Sequence, residues 1–192
     1  MIQMFGEFLY RENKTQLRFN NPIYLQRALE IQKTTRNGDT WLSNTYNTLG
    51  SYDTSNDSYY KQIVDITIDT VKTVAENYGV YTDDVQCTDS WLNVSDKNSF
   101  QEYHLHSNNH FSAVYYINVP ENSGNIVFRS AETQTDMFPL PATKETLANG
   151  KSFIVEPRAG DLLIFRSNVL HMVTINESDD PRVTMAMNFI VR

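Results

Sequence analysis

The chain has 192 residues and a formal net charge of -7 at pH 7, and 40% of its residues are apolar and 12% aromatic. That length suffices for one domain with a sizeable core, and that apolar fraction excludes a disordered chain. The acidic balance argues against nucleic acid as a primary partner, because phosphate binding favours a basic face.

Cysteine usage and the lack of long apolar runs bear on the compartment. Cys87 is the single cysteine, which excludes an intrachain disulfide and fits a reducing environment. The first residues lack the features of a signal peptide, and no stretch reaches the ~20 apolar residues of a membrane span. We therefore expect a cytoplasmic protein without membrane contacts, in the host cytoplasm if the chain is virus-encoded. A homodimer is left open.

The N-terminal part of the chain predicts two helices. Asn21 followed by Pro22 indicates an N-cap and the first helical position, for a helix that ends near Thr34. A second start signal lies at residues 55–57, and Gly79 indicates a left-handed residue after the end of that helix. Spacings of three and four place one face of the second helix on Tyr59, Ile63, Ile66, Thr70 and Val74.

From residue 85 onward, short runs rich in β-branched and aromatic residues alternate with turn signals, which predicts a closed or sandwich-like antiparallel barrel. We interpret residues 1–192 as one domain, with 1–80 as a helical support region and 81–192 as the strand-rich core. We expect residues 130–150 to form a long loop, which is a candidate lid. The predicted strands are residues 85–94, 100–106, 111–119, 125–129, 153–156, 161–166, 171–175 and 182–191.

Three histidines are candidate metal ligands. Side chains alternate along a strand, so His104 and His106 share one face. Such a pair alone more often lines a polar cavity. His171 makes a metal site the favoured interpretation. It lies in the otherwise apolar run LLIFRSNVLHMV, and a buried histidine needs hydrogen bonds or a metal. Three imidazoles on one face would leave open positions, as in a catalytic metal site.

Two other residues bear on the ligand set. Non-haem iron sites usually combine two histidines with one carboxylate, and Glu102 shares the predicted strand face of His104. A set of Glu102, His104 and His171 is therefore an alternative. His110 follows a turn signal, and we expect it on a loop near the mouth of the pocket.

Arg182 is the candidate for binding a carboxylate. It begins the last predicted strand, and a guanidinium matches a carboxylate with two parallel hydrogen bonds. The alternative is an ordinary hairpin arginine paired with Asp179 or Asp180. Tyr116 or Ser112 could add a hydroxyl, since alternation places both on one strand face.

Three segments together resemble a known family. They read HLHSNNHFSAVYYINVPENSGNIVF, PRAGDLLIFRSNVLHMV and RVTMAMNFIV, and the run G-D-L-L-I-F-x-S-x-x-x-H is the most specific piece. They resemble the 2-oxoglutarate/Fe(II) oxygenases over residues 89–191, and most closely a small group from marine bacteria and their tailed phages. The resemblance implies a mainly β double-stranded β-helix, a jelly-roll or cupin-like barrel, backed by about two N-terminal helices.

The resemblance also implies an activity and its residues. His104, His106 and His171 would bind Fe(II) as the catalytic centre, and Arg182 would hold the far carboxylate of the cosubstrate 2-oxoglutarate. Dioxygen would be the oxidant, and the products would be succinate, CO2 and a hydroxylated substrate. By similarity to prolyl hydroxylases, the Tyr116 hydroxyl would bind the cosubstrate.

Other implied roles concern the pocket and the substrate. Trp91 and Asn188 are expected to shape the pocket. The substrate is left open between a small molecule and a protein side chain.

One departure from the family pattern keeps alternatives open. His106 stands where the wider superfamily has aspartate or glutamate, so the iron site would be one unit more positive. Three-histidine sites are typical of cupin-type dioxygenases that do not use 2-oxoglutarate. That class, and a non-enzymatic metal-binding β-barrel module, are the alternatives to a 2-oxoglutarate-dependent hydroxylase.

Overall fold

The computed structural model describes residues 6–38, 40–130, 141–144, 146 and 149–192. Within these residues the protein is mainly β, with its helices near the N-terminus. The helices are α1 (Thr15–Arg18), α2 (Asn21–Thr34) and α3 (Lys61–Glu76), with a 3-10 turn at Thr54–Asn56. The strands are β1 (Tyr10–Asn13), β2 (Tyr46–Asn47), β3 (Val85–Ser95), β4 (Gln101–His104), β5 (Phe111–Asn118), β6 (Ile126–Arg129), β7 (Ser152–Val155), β8 (Asp161–Arg166), β9 (His171–Val173) and β10 (Arg182–Val191).

The strands form two antiparallel sheets. The larger has the order β1-β8-β5-β10-β3-β2, and the smaller has the order β4-β9-β6-β7. A buried cluster between them holds the sheets face to face, because its members come from strands of both. This is the double-stranded β-helix that the sequence predicts. The cluster consists of Tyr116, Ile126, Phe128, Val155, Leu163 and Phe165.

The helices cover the outer face of the larger sheet, as predicted. Buried side chains of α2 and α3 form one apolar cluster with side chains of β3, β5, β8 and β10. Gly79 follows α3 with a φ of +75°, so the predicted left-handed position is confirmed. The predicted start of α3 is wrong, because a 3-10 turn occupies Thr54–Asn56 and the helix begins at Lys61. Tyr59 therefore precedes the helix and is half exposed.

Asn21 has a different role from the predicted N-cap. Asn20 occupies the N-cap without a side-chain bond, and Asn21 is the first residue of α2. The buried Asn21 amide donates to the Ile117 carbonyl at 2.6 Å, and its Oδ1 accepts from the Tyr115 hydroxyl at 2.7 Å. A predicted helix cap is thus a polar anchor between α2 and β5.

Most predicted strands are present, and the differences lie at strand ends and at sheet edges. β4 ends at His104 and β9 at Val173, each two residues before the predicted end. β1 and β2 were not expected. Both are edge strands too short to show an alternating pattern, and such strands owe their conformation to the neighbour they pair with.

Two further expectations concern the loop and the membrane. Most of the predicted lid, residues 130–150, lies outside the described residues. Among the described residues, no helix combines the length and the apolar composition needed to cross a membrane.

The Asn21 anchor gives a testable stability effect. Asn21→Ala leaves the buried Tyr115 hydroxyl without its acceptor, so we expect the free energy of unfolding to fall by about 1–3 kcal/mol. The exposed Gln26 on the same helix is the matched control, and Gln26→Ala should change the free energy of unfolding by less than about 0.5 kcal/mol. Urea unfolding followed by circular dichroism measures both. Equal effects would show that the anchor contributes nothing.

Candidate metal centre

The fold brings the three predicted histidines together. His104 is the last residue of β4 and lies directly opposite His171, the first residue of β9, in the antiparallel pair. His106 follows β4 by two residues. The candidate ligand nitrogens of the three all lie within 4.8 Å of one another. Their ring centroids are 4.2 to 5.3 Å apart. One metal ion could therefore contact all three rings.

Hydrogen bonds fix which nitrogen each ring presents. The Nδ1 of His104 lies 2.7 Å from the Glu102 carbonyl, and the Nδ1 of His171 lies 2.8 Å from the Val169 carbonyl. A carbonyl oxygen can only accept, so both Nδ1 atoms carry the proton. Nε2 is then the unprotonated nitrogen of each ring, as metal-ligating histidines require.

A side-chain network orients the third histidine. The Nδ1 of His106 lies 2.6 Å from Asn188 Oδ1, which also accepts from the Ser112 hydroxyl at 2.9 Å. Ser112 in turn lies 2.9 Å from the hydroxyl of Ser167. The amide oxygen of Asn188 can only accept, so Nδ1 of His106 carries the proton and Nε2 is the unprotonated nitrogen. Sequence analysis placed Asn188 in the pocket but gave it no such task.

Burial keeps the imidazoles neutral. It lowers the pKa of His104 to about 4 and that of His171 to about 3, and it also lowers the pKa of His106. Desolvation disfavours the charged imidazolium, and neutral imidazole is the form that binds a metal. At neutral pH no proton has to be displaced from the three Nε2 atoms.

Aromatic side chains surround the ligands. Ring centroids lie 4.6 Å apart for Trp41 and His104, 5.6 Å for Trp91 and His106, and 4.7 Å for Phe165 and His171. These contacts restrict the imidazoles and keep water from them. Sequence analysis gave Trp41 no role, because the segment that carries it has no periodic pattern and only a weak resemblance to the family.

Arg182 is buried without an acidic partner. It is 3% exposed, and its guanidinium donates to the Ser123 carbonyl and to the Ser95 hydroxyl. No carboxylate among the described residues forms an ion pair with it, and Asp179 pairs with Lys97 instead. Burial lowers the pKa of Arg182 to about 10, so the side chain is still charged at neutral pH. A buried charge without a counter-ion is costly, and a bound anion would offset that cost.

Arg182 and the three histidines line the same cavity. Tyr116 lines it too, and its hydroxyl has no hydrogen-bond partner among the described residues. Burial raises the pKa of Tyr116, so the hydroxyl keeps its proton and can donate. Ser112 on β5 pairs with Asn188, which is six residues from Arg182 on β10. Ser112 does not line the cavity. Of the two hydroxyls that the sequence offers beside Arg182, the geometry therefore favours that of Tyr116.

The other candidate ligands lie elsewhere. The Glu102 carboxylate accepts from the backbone N–H of Leu42 at 3.3 Å and does not join the ligand group. His110 is exposed, as expected, and its Nδ1 accepts from the backbone N–H of Val191 at 3.0 Å. The geometry thus favours His106 over Glu102 as the third ligand.

Removing one ligand tests the centre. His171→Ala should weaken Fe(II) binding by more than the roughly 10–100-fold that follows loss of a ligand's hydrogen-bonding partner. His110→Ala is the matched control, since it removes an exposed histidine outside the cluster. Anaerobic titration calorimetry gives both affinities, and circular dichroism checks the fold. Parental affinity in His171→Ala would exclude this ligand set.

Several proteins of known structure share this fold. A Pseudomonas putida prolyl-4-hydroxylase is 15% identical, with a TM-score of 0.70 over 97% of this chain and 94% of that one. A viral collagen prolyl hydroxylase from Paramecium Bursaria Chlorella virus-1 is 10% identical, with a TM-score of 0.63 over 96% of each chain. The epimerase SnoN from nogalamycin biosynthesis is 13% identical, with a TM-score of 0.69 over 96% of this chain and 76% of that one. At these identities the likeness shows the fold alone.

Sequence comparison is more specific. No curated protein matches the chain. The model of the family described as "Putative 2OG-Fe(II) oxygenase" matches residues 89–188, which hold the three histidines and Arg182. The likeness to the marine bacterial and phage group stays a prediction. Because the family model matches more than half of the chain, the protein belongs to the 2-oxoglutarate/Fe(II) oxygenase family.

Proposed function

We propose that the protein is an Fe(II)- and 2-oxoglutarate-dependent dioxygenase that hydroxylates its substrate and releases succinate and CO2. One observation carries the proposal: three unprotonated Nε2 atoms and a buried, unpaired guanidinium line a single cavity. The first group fits a divalent metal, and the second fits the far carboxylate of the cosubstrate.

The ligand set suits iron with open positions. His104, His106 and His171 would hold the ion from one side, and imidazole is a suitable ligand for Fe(II). When bound, iron with 2-oxoglutarate and dioxygen supplies the oxidising chemistry, in which the cosubstrate loses CO2 and a substrate C–H bond becomes C–OH. The task of the chain is to orient the reactants and to exclude water.

The opposite end of the cavity would bind the cosubstrate. Arg182 would hold its far carboxylate, and the guanidinium is kept in place by the Ser123 carbonyl and the Ser95 hydroxyl. Gly124 permits the close packing here, because a Cβ at that position would lie 2.5 Å from the Thr174 carbonyl oxygen and 3.0 Å from Arg182 Nη1. The protonated Tyr116 hydroxyl would donate a further hydrogen bond.

Two substrate classes lie within the proposal. The fold is shared with prolyl hydroxylases and with an epimerase from nogalamycin biosynthesis, so both a protein side chain and a small molecule are consistent with it. A three-histidine dioxygenase that does not use 2-oxoglutarate is the second candidate. It is favoured by the imidazole of His106 in place of a carboxylate, and the variants below separate the two.

Arg182→Gln tests the cosubstrate site. With Fe(II) and 2-oxoglutarate under anaerobic conditions, the parent should show a weak metal-to-cosubstrate charge-transfer band. Loss of hydrogen bonds from a charged donor should weaken 2-oxoglutarate binding by about 10–100-fold while Fe(II) binding is kept. Arg192→Gln, at an exposed position, is the matched control. A parent that binds Fe(II) without any band would favour the three-histidine class.

His106→Asp tests the third ligand position. Aspartate is the type of ligand that the family pattern has there, so Fe(II) binding and the charge-transfer band should survive. His106→Ala supplies no ligand and should lose most of the Fe(II) affinity. Calorimetry and the visible spectrum compare the two variants. Complete loss in both would mean that this position tolerates only imidazole, and parental binding in both would mean that His106 is not a ligand.

A further inference from the structure

Trp91 has a buried hydrogen-bond donor that the fold does not use. Its side chain is 5% exposed, and its Nε1 has no hydrogen-bond partner among the described residues. Buried polar groups are nearly always paired, and an unpaired one reduces stability. The contrast is Trp41, whose Nε1 donates to Asn93 Oδ1 at 3.4 Å.

The unused donor lies at the metal end of the cavity. Trp91 lines the same cavity as Arg182, and its ring centroid is 5.6 Å from that of His106. In the larger sheet Trp91 pairs with Ala186, whereas Arg182 pairs with Ser95. Ala186 lies four residues beyond Arg182 on β10, roughly 13 Å at the rise of a strand. The indole and the guanidinium therefore lie toward opposite ends of the cavity.

The chemistry of an indole limits what the partner can be. Its N–H can only donate, so it cannot bind a metal ion. The adjacent residue on β10 is Ala186, which offers no acceptor side chain. On the same face of β10, Asn188 already receives hydrogen bonds from His106 and Ser112. Thr184 and Gln101 line the same cavity, and neither forms a hydrogen bond with Trp91 Nε1. The missing acceptor is therefore expected on a ligand.

We propose that Trp91 Nε1–H donates a hydrogen bond to an oxygen at the 2-oxo acid end of the cosubstrate. This inference rests on the proposed function and deepens it. Arg182 would select the length of the dicarboxylate, and Trp91 would fix the rotation of the end that faces the metal. Trp91 is thus a cosubstrate-positioning residue.

Two tryptophans make the test direct, because the chain has only two indole N–H groups. In a 15N–1H spectrum of the protein loaded with diamagnetic Zn(II), Trp41→Phe and Trp91→Phe assign the two signals. Addition of 2-oxoglutarate should move the Trp91 signal downfield, since its proton gains an acceptor. Trp91→Phe should also raise the Kd for 2-oxoglutarate about tenfold and leave the Kd for the metal unchanged. A merely structural role would weaken both affinities.

The outcomes separate this inference from the proposed function. If 2-oxoglutarate binds and the Trp91 signal stays in place, the positioning role is overturned and the proposed function stands. If the metal-loaded parent does not bind 2-oxoglutarate at all, both are overturned. If Trp91→Phe fails to fold, Trp41→Phe alone still assigns both indole signals. The effect of 2-oxoglutarate on the spectrum of the parent then decides whether Trp91 has the positioning role.

Discussion

The antiparallel pairing of β4 with β9 is the contact on which the centre depends. It sets His104 opposite His171 across the strand pair, although 66 residues separate them in the chain. Each of these rings is fixed by a backbone carbonyl, from Glu102 and Val169. Backbone geometry therefore determines both the positions of the two rings and the nitrogen that each presents.

His106 is held by a different kind of contact. It lies beyond the end of β4, where no strand ladder fixes the backbone, and a side chain of the opposite sheet orients it instead. Asn188 is neutral, and so is the imidazole that it holds. A neutral imidazole thus stands where the family pattern has a carboxylate, and no carboxylate of the described residues lines the cavity. Under the proposed function, this arrangement would allow a three-histidine set and a carboxylate-binding arginine to belong to one site.

Two buried polar groups at opposite ends of the cavity lack a matching partner among the described residues. Arg182 has no carboxylate to pair with, and Trp91 Nε1 has no acceptor. Unsatisfied buried groups reduce stability, and the proposed function gives both groups a partner on the cosubstrate. Asn21 is the contrasting case, because both the donor and the acceptor of its amide are used within the fold.

The sequence by itself determined the type of fold, the candidate ligands and the arginine, because these depend on local patterns. Alternation marks strands such as β5 and β10, spacing marks α2 and α3, and the motif around His171 is specific to one family. It did not give β1 or β2, since short edge strands are stabilised by their neighbours. It also misassigned Asn21, which has the residue type of a helix cap but a partner on β5.

Only the tertiary structure could favour His106 over Glu102 and Tyr116 over Ser112, and only it shows Arg182 without an acidic partner among the described residues. Each of these choices depends on contacts between residues far apart in the chain, and a local pattern cannot encode the distance between them.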